Sequence, residues 1–210
     1  MEIMKRIKIY VVVLLVFSTG LYTAKAQDYS ALEKAFSDSY ELERKGEYAQ
    51  ALEKLKKLYS EDSYEINLRL GWLSYSMGNF TESSAYYQRA VTISPYAIEA
   101  RFGYVFPLAA LGNWGIVKQQ YEKILDIDPR NTLANYRMGM IFYGSEDYAT
   151  ALKYFEKVVN LYPFDYDGVI MYAWAHFKLG KLREAGLLFH KALLIRPDDE
   201  SANEGLSLVK

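Results

Sequence analysis

The stretch LGWLSYSMGNFTESSAYYQRAVTISP, Leu70 to Pro95, contains two helical patterns separated by a glycine and closed by a proline. The stretch MGMIFYGSEDYATALKYFEKVVNLYP, Met138 to Pro163, repeats the same layout further along the chain. Prolines stand at 95, 129, 163 and 197, each 34 residues after the last. A fixed period of this length is typical of solenoid proteins, in which every repeat is one supersecondary unit. The spacing therefore predicts an array of helix pairs.

Both stretches resemble the tetratricopeptide repeat, whose unit has Leu-Gly in its first helix and an alanine, an aromatic residue and a closing proline around its second. The resemblance implies an all-α fold: a right-handed α-solenoid of five helix-turn-helix units, followed by a C-terminal capping helix. We place the array at residues 27–199 and the capping helix at 200–210. The five units are predicted at residues 32–63, 64–97, 98–131, 132–165 and 166–199.

Glycines at 46, 78, 112 and 180 lie between the paired helices of four units. A left-handed residue at that place lets the chain reverse direction, and glycine adopts this conformation without steric cost. The fourth unit has Glu146 instead, with Gly144 two residues earlier. Positions are counted from the first residue of each unit. At position 4, the tryptophan that the family often has is replaced by Asn67, Arg101 and Asn135, and at position 8 of the third unit Val105 replaces a glycine.

Pro107 lies inside the first helix of the third unit, at position 10. Proline inside a helix removes a backbone donor and costs about 3 kcal/mol. Gly112 and Pro129 keep the register on either side, so we expect a helix that is kinked here, with Gly103 one turn back leaving room for the bend. One interpretation is a tolerated kink that adjusts curvature. The other is a widening of the binding groove at its centre.

At about 100° per residue, positions 3, 7 and 10 of each first helix share one face and positions 5, 9 and 12 share another. The resemblance implies that the first of these faces meets the preceding unit. In the first unit, which has no predecessor, these positions are Lys34, Asp38 and Glu41, and they are expected to be exposed. In the capping helix the residues at positions 3, 7 and 10 are apolar. Asn203 and Ser207 lie on the side that would face a second helix, which the capping helix lacks. Capped ends of this kind keep a solenoid soluble.

The face of positions 5, 9 and 12 is implied to line the concave side of the array, and it is unusually rich in aromatic residues. Such rings bring about 150–250 Å² each, enough for an exposed apolar patch of functional size. Positions 5 and 12 lie at the edges of this face and are also suited to packing between helices. The predicted partner-binding groove consists of Tyr40, Trp72, Tyr75, Phe102, Phe106, Tyr136, Met140, Tyr143, Trp174 and Phe177.

Acidic residues occupy position 2 in four of the five units, beside the groove: Glu33, Glu65, Glu99 and Asp167. Acids favour the first turn of a helix regardless of any ligand, because they complement the helix dipole. As a margin along an aromatic floor, they would also favour a partner segment that mixes apolar and basic residues. Some members of the family bind the terminal carboxylate of a peptide with lysine, arginine and asparagine on the groove. The residues at those positions are Phe36, Tyr40 and Trp72 here, so we do not expect such a carboxylate site.

The first 26 residues have the layout of a secretory signal peptide, with basic residues before the apolar run of residues 9–17 and a small-residue segment ending Ala24-Lys25-Ala26. The run is shorter than the ~20 residues of a spanning helix. The alternative is an uncleaved anchor. Removing residues 1–26 changes the formal net charge from −1 to −4, which offers no general attraction for nucleic acid. The chain has no cysteine, which suits an exported protein without disulfides.

Residues with the spacing of catalytic or metal-binding motifs are missing from the sequence. His176 and His190 are the two histidines, and they lie in different predicted helices. His176 is expected in the core and His190 on the surface. No phosphate-binding glycine loop and no nucleophile–base pair appear. We therefore expect no catalytic residue, no metal and no cofactor, and predict that the chain is not an enzyme.

These observations together predict a non-catalytic scaffold of the bacterial cell envelope, exported to the periplasm or secreted. It would bind a segment of another protein along the aromatic groove, without nucleic acid and without stable insertion into the membrane after cleavage. A first alternative is a periplasmic protein that binds glycan or peptidoglycan by aromatic stacking. A second is self-assembly, in which the groove of one chain takes an end of another.

Overall fold

The structure is a computed structural model that describes residues 29–209 of the chain. The predicted signal peptide lies outside the described residues. The described part is built from eleven α-helices. They are α1 Tyr29–Arg44, α2 Tyr48–Lys56, α3 Tyr64–Ser76, α4 Phe80–Ile93, α5 Ile98–Ala110, α6 Trp114–Ile127, α7 Thr132–Gly144, α8 Tyr148–Leu161, α9 Tyr166–Lys178, α10 Leu182–Ile195 and α11 Glu200–Leu208. The predicted all-α class is confirmed.

The helices belong to two compact parts: an N-terminal part that ends at residue 59 and a C-terminal part that begins at residue 60. In the N-terminal part, α1 packs against α2 and buries Ala51 and Leu55. Lys34 and Glu41 are exposed, as predicted for these positions of the first unit. Asp38 is half-buried rather than exposed, because it pairs with Lys54 of α2 at 3.4 Å.

The C-terminal part consists of four helix pairs, α3–α4, α5–α6, α7–α8 and α9–α10, followed by α11. Each second helix also packs against the first helix of the next pair, so the core runs continuously along this part. Its centre is apolar and includes Leu108, Ile124 and Met138, all nearly free of solvent contact. Burying a side chain of this size contributes about 1.5–3 kcal/mol, so stacking of neighbouring pairs is what stabilises each of them.

Left-handed residues close the turn between the two helices of every pair. Gly46, Gly78, Gly112 and Gly180 have φ between 71° and 79°. In the α7–α8 pair the residue in this conformation is Glu146, with φ 64°. Gly144 is the last residue of α7, so the left-handed residue of this turn is Glu146 and not the nearby glycine.

The loops between pairs are fastened by the polar residues that replace the tryptophan at position 4. Asn67 donates from Nδ2 to the carbonyl of Ser63 at 2.7 Å, and Asn135 donates to the carbonyl of Pro129 at 3.1 Å. Arg101 donates from Nη2 to the carbonyl of Pro95 at 2.6 Å. All three side chains are buried. The departure from the family pattern thus supplies donors to loop carbonyls that would otherwise need other partners.

Pro107 lies within α5, which continues unbroken to Ala110. A close contact with an aromatic ring, rather than a bend at Pro107, explains the glycine at residue 103. A Cβ atom at residue 103 would overlap Cε1 of Tyr87, and one at Gly71 would lie 2.8 Å from Cδ2 of the same ring. The Tyr87 ring is therefore wedged between α3 and α5, and both glycines make room for it.

The C-terminal part ends with α11, whose Ala202 is fully buried. Asp199 caps this helix by accepting a hydrogen bond from the Ala202 amide at 2.9 Å. A Cβ atom at Gly205 would overlap the Phe189 ring, so α11 lies directly against α10. Asn203 and Ser207 are exposed, as expected for a helix without a partner on that side.

Candidate functional site

Side chains at position 9 are exposed in four of the five predicted units. Trp72, Phe106 and Met140 are 39%, 48% and 37% exposed in the C-terminal part, and Tyr40 is 49% exposed in the N-terminal part. Large apolar side chains with this much exposure are costly to leave in water unless something covers them. The recurrence of exposed apolar residues at this position makes the helix face a candidate binding surface.

Three rings of the predicted groove form a contiguous row in the C-terminal part. The ring centroids of Trp72 and Tyr75 are 6.1 Å apart, and those of Tyr75 and Phe106 are 5.6 Å apart. Ring pairs at these distances are stabilising beyond their buried area. The row joins α3 to α5, and so it holds the exposed rings on rigid elements.

Next to this row lies an apolar cleft of about 840 Å³ between α5, α6 and α7, which we call the central cleft. It includes Tyr75, Phe106 and Met140 of the predicted groove. It also includes Trp114, which was not among the predicted groove residues and which is 60% exposed. The complete lining is Tyr75, Val105, Phe106, Ala109, Ala110, Trp114, Val117, Tyr121, Arg137, Met140, Ile141, Gly144 and Ser145.

The central cleft is open because one ring is absent. In the pairs on either side, an aromatic residue at position 12 contacts an aromatic residue that begins the second helix. These contacts are Tyr75–Phe80 at 5.6 Å and Tyr143–Tyr148 at 5.1 Å. The α5–α6 pair has Ala109 at position 12, so Trp114 has no such partner. The corner that rings fill elsewhere is here part of the cleft.

Val105 also distinguishes the α5–α6 pair. In the α7–α8 pair, Gly139 lets the Phe155 ring approach closely, since a Cβ atom there would lie 2.5 Å from that ring. The equivalent residues of the α5–α6 pair are Val105 and Tyr121, and both line the central cleft. A branched side chain in place of a glycine leaves the ring of the second helix less room for a close approach. Pro107 lies on the same helix, between the cleft residues Phe106 and Ala109.

Several predicted groove residues are half-buried and pack against second helices. Phe102 contacts Tyr121 edge-on at 6.2 Å, and Tyr136 contacts Phe155 at 6.0 Å. Burial raises the pKa of Tyr136 and of Tyr143, as expected for phenols withdrawn from water. These side chains stiffen the helix pairs and present only part of their surface to the groove.

Trp174 differs from the other residues at position 9 because α11 covers part of it. Its Nε1–H donates to Ser201 Oγ at 2.9 Å, and its ring lies 4.9 Å from the Phe189 ring. Phe177 packs edge-on against Trp174 at 5.5 Å. Within the C-terminal part, the aromatic face therefore ends in packing contacts with α11, and its exposed rings lie near the central cleft.

The acidic margin is partly engaged within the protein. Tyr64 donates its hydroxyl hydrogen to Glu99 at 2.7 Å, and Ser63 donates to Glu65 at 3.2 Å. Burial and the hydrogen bond to Glu99 together raise the pKa of Tyr64. Glu33 is exposed in the N-terminal part. Asp167 is exposed and lines a second cleft of about 380 Å³, which we call the small cleft.

Arg137 lines both clefts and is exposed. Burial raises the pKa of Tyr121, and the positive charge of Arg137 opposes this rise. The same charge acts on Tyr136, whose ring centroid is 6.0 Å from the guanidinium carbon. The guanidinium therefore lies near Tyr121, which lines the central cleft, and near Tyr136, which lines the small cleft. No sequence pattern singled it out, because position 6 varies from unit to unit.

Titratable and metal-binding chemistry is sparse in the described range. His176 is buried and its pKa is lowered by that burial, whereas His190 is exposed, as predicted for both. Within residues 29–209, no group of three or more histidine, aspartate or glutamate side chains is placed to hold a metal ion. None of the eleven described helices is long and apolar enough to cross a bilayer.

Family models identify the repeats independently of the geometry. Two models described as tetratricopeptide repeat match the sequence, one over residues 39–98 and one over residues 142–207. Together they account for more than half of the chain. A search of curated proteins found no match.

Solved structures with the same architecture are numerous. A tetratricopeptide repeat protein from Parabacteroides merdae aligns with a TM-score of 0.73 at 20% identity, covering 86% of this chain and 72% of its own. MamA from Desulfovibrio magneticus aligns with a TM-score of 0.68 at 16% identity, covering 81% of this chain and 97% of its own. YrrB, described as a tetratricopeptide repeat protein with an unusual peptide-binding site, aligns with a TM-score of 0.68 at 15% identity and covers 82% and 90%. At these identities the likeness shows the fold alone.

Proposed function

Because this chain belongs to the tetratricopeptide repeat family, we propose that it is a non-catalytic interaction scaffold whose central cleft binds a segment of another protein. Repeats of this family generally bind proteins or peptides, and helix pairs offer a groove in which such a segment can lie. The observation that carries the proposal is the cleft of about 840 Å³ with the exposed side chains of Phe106, Trp114 and Met140 at its edge.

The size and lining of the central cleft fit a peptide anchor. Apolar clefts of about 300–1,000 Å³ are typical of sites that bury a compact ligand. An aromatic or large aliphatic side chain entering beside Ala109 would take the place that a position-12 ring takes in the neighbouring pairs. Tryptophan and tyrosine side chains around it are the types that dominate binding energy at protein interfaces.

A protein of the same fold offers a precedent for the class of ligand. YrrB is described as having an unusual peptide-binding site, and its fold covers most of this chain. The proposal for this chain extends that ligand class, peptide, to a cleft defined by this chain's own residues.

We further propose that the protein acts in the bacterial cell envelope. The support is the sequence of residues 1–26, with basic residues, an apolar run and a small-residue segment in the order of a secretory signal. The absence of cysteine from the whole chain is compatible with an oxidising compartment.

Site-specific photo-crosslinking in the source cells tests the binding proposal. A benzophenone amino acid is placed at Phe106, in the cleft, and in a second variant at Tyr96, a loop residue that is 82% exposed. We expect a discrete adduct with another protein from position 106 and none from position 96. Adducts of equal yield from both positions, or none from position 106, would contradict the proposal. An adduct of twice the chain mass would favour self-assembly instead.

A cleft-filling variant provides the matched control. Ala109→Tyr introduces the ring that stands at position 12 in the pairs on either side, where it contacts the first residue of the second helix. The variant is expected to fold with unchanged helicity and to lose the adduct at position 106. Persistence of the adduct in a folded Ala109→Tyr protein would show that the partner binds elsewhere.

A further inference from the structure

Among the described residues, Arg137 is the only charged side chain that lines the central cleft. Within residues 29–209 its guanidinium forms no ion pair or direct hydrogen bond, and the ring of Tyr136 lies 6.0 Å away. Lys123 of the neighbouring helix α6, by contrast, is paired with Asp126 at 3.0 Å. An arginine has five N–H donors in a planar fork suited to a carboxylate. An unpaired fork beside an apolar cleft can therefore bind an acidic group from outside the chain.

The small cleft continues the surface on the other side of Arg137 and has the opposite charge. It is lined by Arg137 together with Asp165 and Asp167. Asp165 caps α9 by accepting a hydrogen bond from the Gly168 amide at 2.8 Å. Asp167 is exposed, and no hydrogen bond or ion pair holds its carboxylate in the described chain. From the central cleft to the small cleft, the surface is thus apolar, then positive, then negative.

Charge complementarity along this path defines the occupant. A segment with an apolar anchor in the central cleft would place its next residues over Arg137 and then beside Asp167. A like charge at either place would be repelled, whereas an opposite charge would form a charge-assisted hydrogen bond at the edge of a low-dielectric site. Because the segment continues past Arg137 into the small cleft, the acid there belongs to a side chain inside the segment.

We propose that the partner segment carries an aspartate or glutamate side chain directly after its apolar anchor, received by Arg137, and a basic residue beyond it, facing Asp167. This inference rests on the proposed function, since it specifies what the central cleft selects. It adds an acidic residue to the expectation of a segment that mixes apolar and basic residues, which was drawn from the aromatic groove and the acidic residues at position 2.

Peptide selection tests the charge order directly. A library of random 12-residue peptides, displayed on phage by fusion through their C termini, offers only internal carboxylates. It is selected in parallel on the wild-type chain and on the Arg137→Glu and Ala109→Tyr variants. We expect peptides from the wild type to share an acid next to a large apolar residue. Peptides from Arg137→Glu are expected to have lysine or arginine in its place.

The affinity of one selected peptide for the wild type and for each variant measures how much the charged contacts contribute to binding. Loss of the charged contact in Arg137→Gln is expected to weaken binding about 10- to 100-fold, with wild-type helicity and unfolding midpoint, because residue 137 is exposed. Asp167→Asn is expected to weaken the binding of only those peptides that carry the basic residue. Lys123→Gln removes an exposed cation of α6 that lines neither cleft. It provides the charge control and is expected to leave binding unchanged.

The outcomes separate the two proposals. If selected peptides lose binding in Ala109→Tyr but show no acid preference, or the same preference in Arg137→Glu, the charge assignment is wrong and the cleft proposal stands. If no peptide is enriched on the wild type, or enriched peptides bind Ala109→Tyr equally well, both are wrong.

Discussion

Glu146 is the one residue in the described chain that closes a turn between paired helices in a left-handed conformation without being a glycine. Its φ of 64° costs a residue with a side chain roughly 1 kcal/mol, a cost that is absent for glycine. Glu146→Gly is therefore expected to raise the free energy of unfolding by about 0.5–1 kcal/mol. The measurement is the urea midpoint of the whole chain. The converse change, Gly112→Ala at φ 74°, should lower it, and a lower midpoint for Glu146→Gly would contradict the strain argument.

His176 gives the fold a dependence on pH. It is buried, its ring lies 4.5 Å from the Tyr172 ring, and burial lowers its pKa, with Lys181 lowering it further and Glu184 and Glu156 opposing. The unfolded chain, with a histidine pKa of about 6.5, therefore binds the proton first as pH falls. The contribution to stability is complete above about pH 6.5 and declines as pH falls below it toward the lower folded pKa.

The check is a pair of urea midpoints at about pH 7.5 and about pH 5.5, on either side of the unfolded pKa. The wild type is expected to lose more stability between them than His176→Gln, which cannot titrate at this position. Equal losses in the two proteins would show that other groups cause the dependence. Changing the exposed His190 to Gln should leave the wild-type difference intact.

Helix packing in this chain depends on rings that enter gaps left by glycines. Because a Cβ atom at residue 103 would overlap the Tyr87 ring, Gly103→Ala is expected to lower the free energy of unfolding by about 2–3 kcal/mol. Gly144→Ala is the matched control. Its Cβ atom meets nothing within 4 Å and it lies in α7, so the change is expected to stabilise by about 0.5–1 kcal/mol. Urea unfolding distinguishes them, and similar midpoints would refute the role of the Tyr87 wedge.

At the scale of elements, the prolines spaced 34 residues apart follow the second helices of four pairs, α3–α4 to α9–α10, because proline and glycine act locally on the backbone. The α1–α2 pair has no proline at this interval, where residue 61 is Glu. The outward position of Phe106 and Met140 followed from the helical repeat. Trp114 was missed because it begins a second helix, outside the face of positions 5, 9 and 12, although an aromatic residue begins the second helix in four units. The central cleft itself depends on the smallness of Ala109, and a missing ring leaves no positive signal in a sequence. The partial burial of Trp174 by α11 could not be predicted from the sequence, because it depends on a side-chain contact with Ser201, 27 residues further along the chain.

At the scale of the whole molecule, a repeat array depends on how its last face is covered. Beyond Pro197, α11 supplies Ala202, which is fully buried, and Gly205, which lies against the Phe189 ring. Asn203 and Ser207 on the opposite side remain exposed. The helix thus has one apolar face for the array and one polar face for water, which is what a terminal repeat requires.

Ending the chain after Pro197 is therefore expected to lower the free energy of unfolding by about 3–5 kcal/mol, since it uncovers Phe189 and removes the burial of Ala202 and its neighbours. Trp174 also loses its hydrogen bond to Ser201, so its fluorescence should shift to the red. The emission is read in a background where Trp72 and Trp114 are changed to phenylalanine, and stability is read from urea unfolding. The double change Asn203→Ala and Ser207→Ala is expected to alter stability by less than about 0.5 kcal/mol, because both side chains are exposed. A truncated chain with the midpoint and Trp174 emission of the full chain would mean that α9 and α10 are stable without a cap.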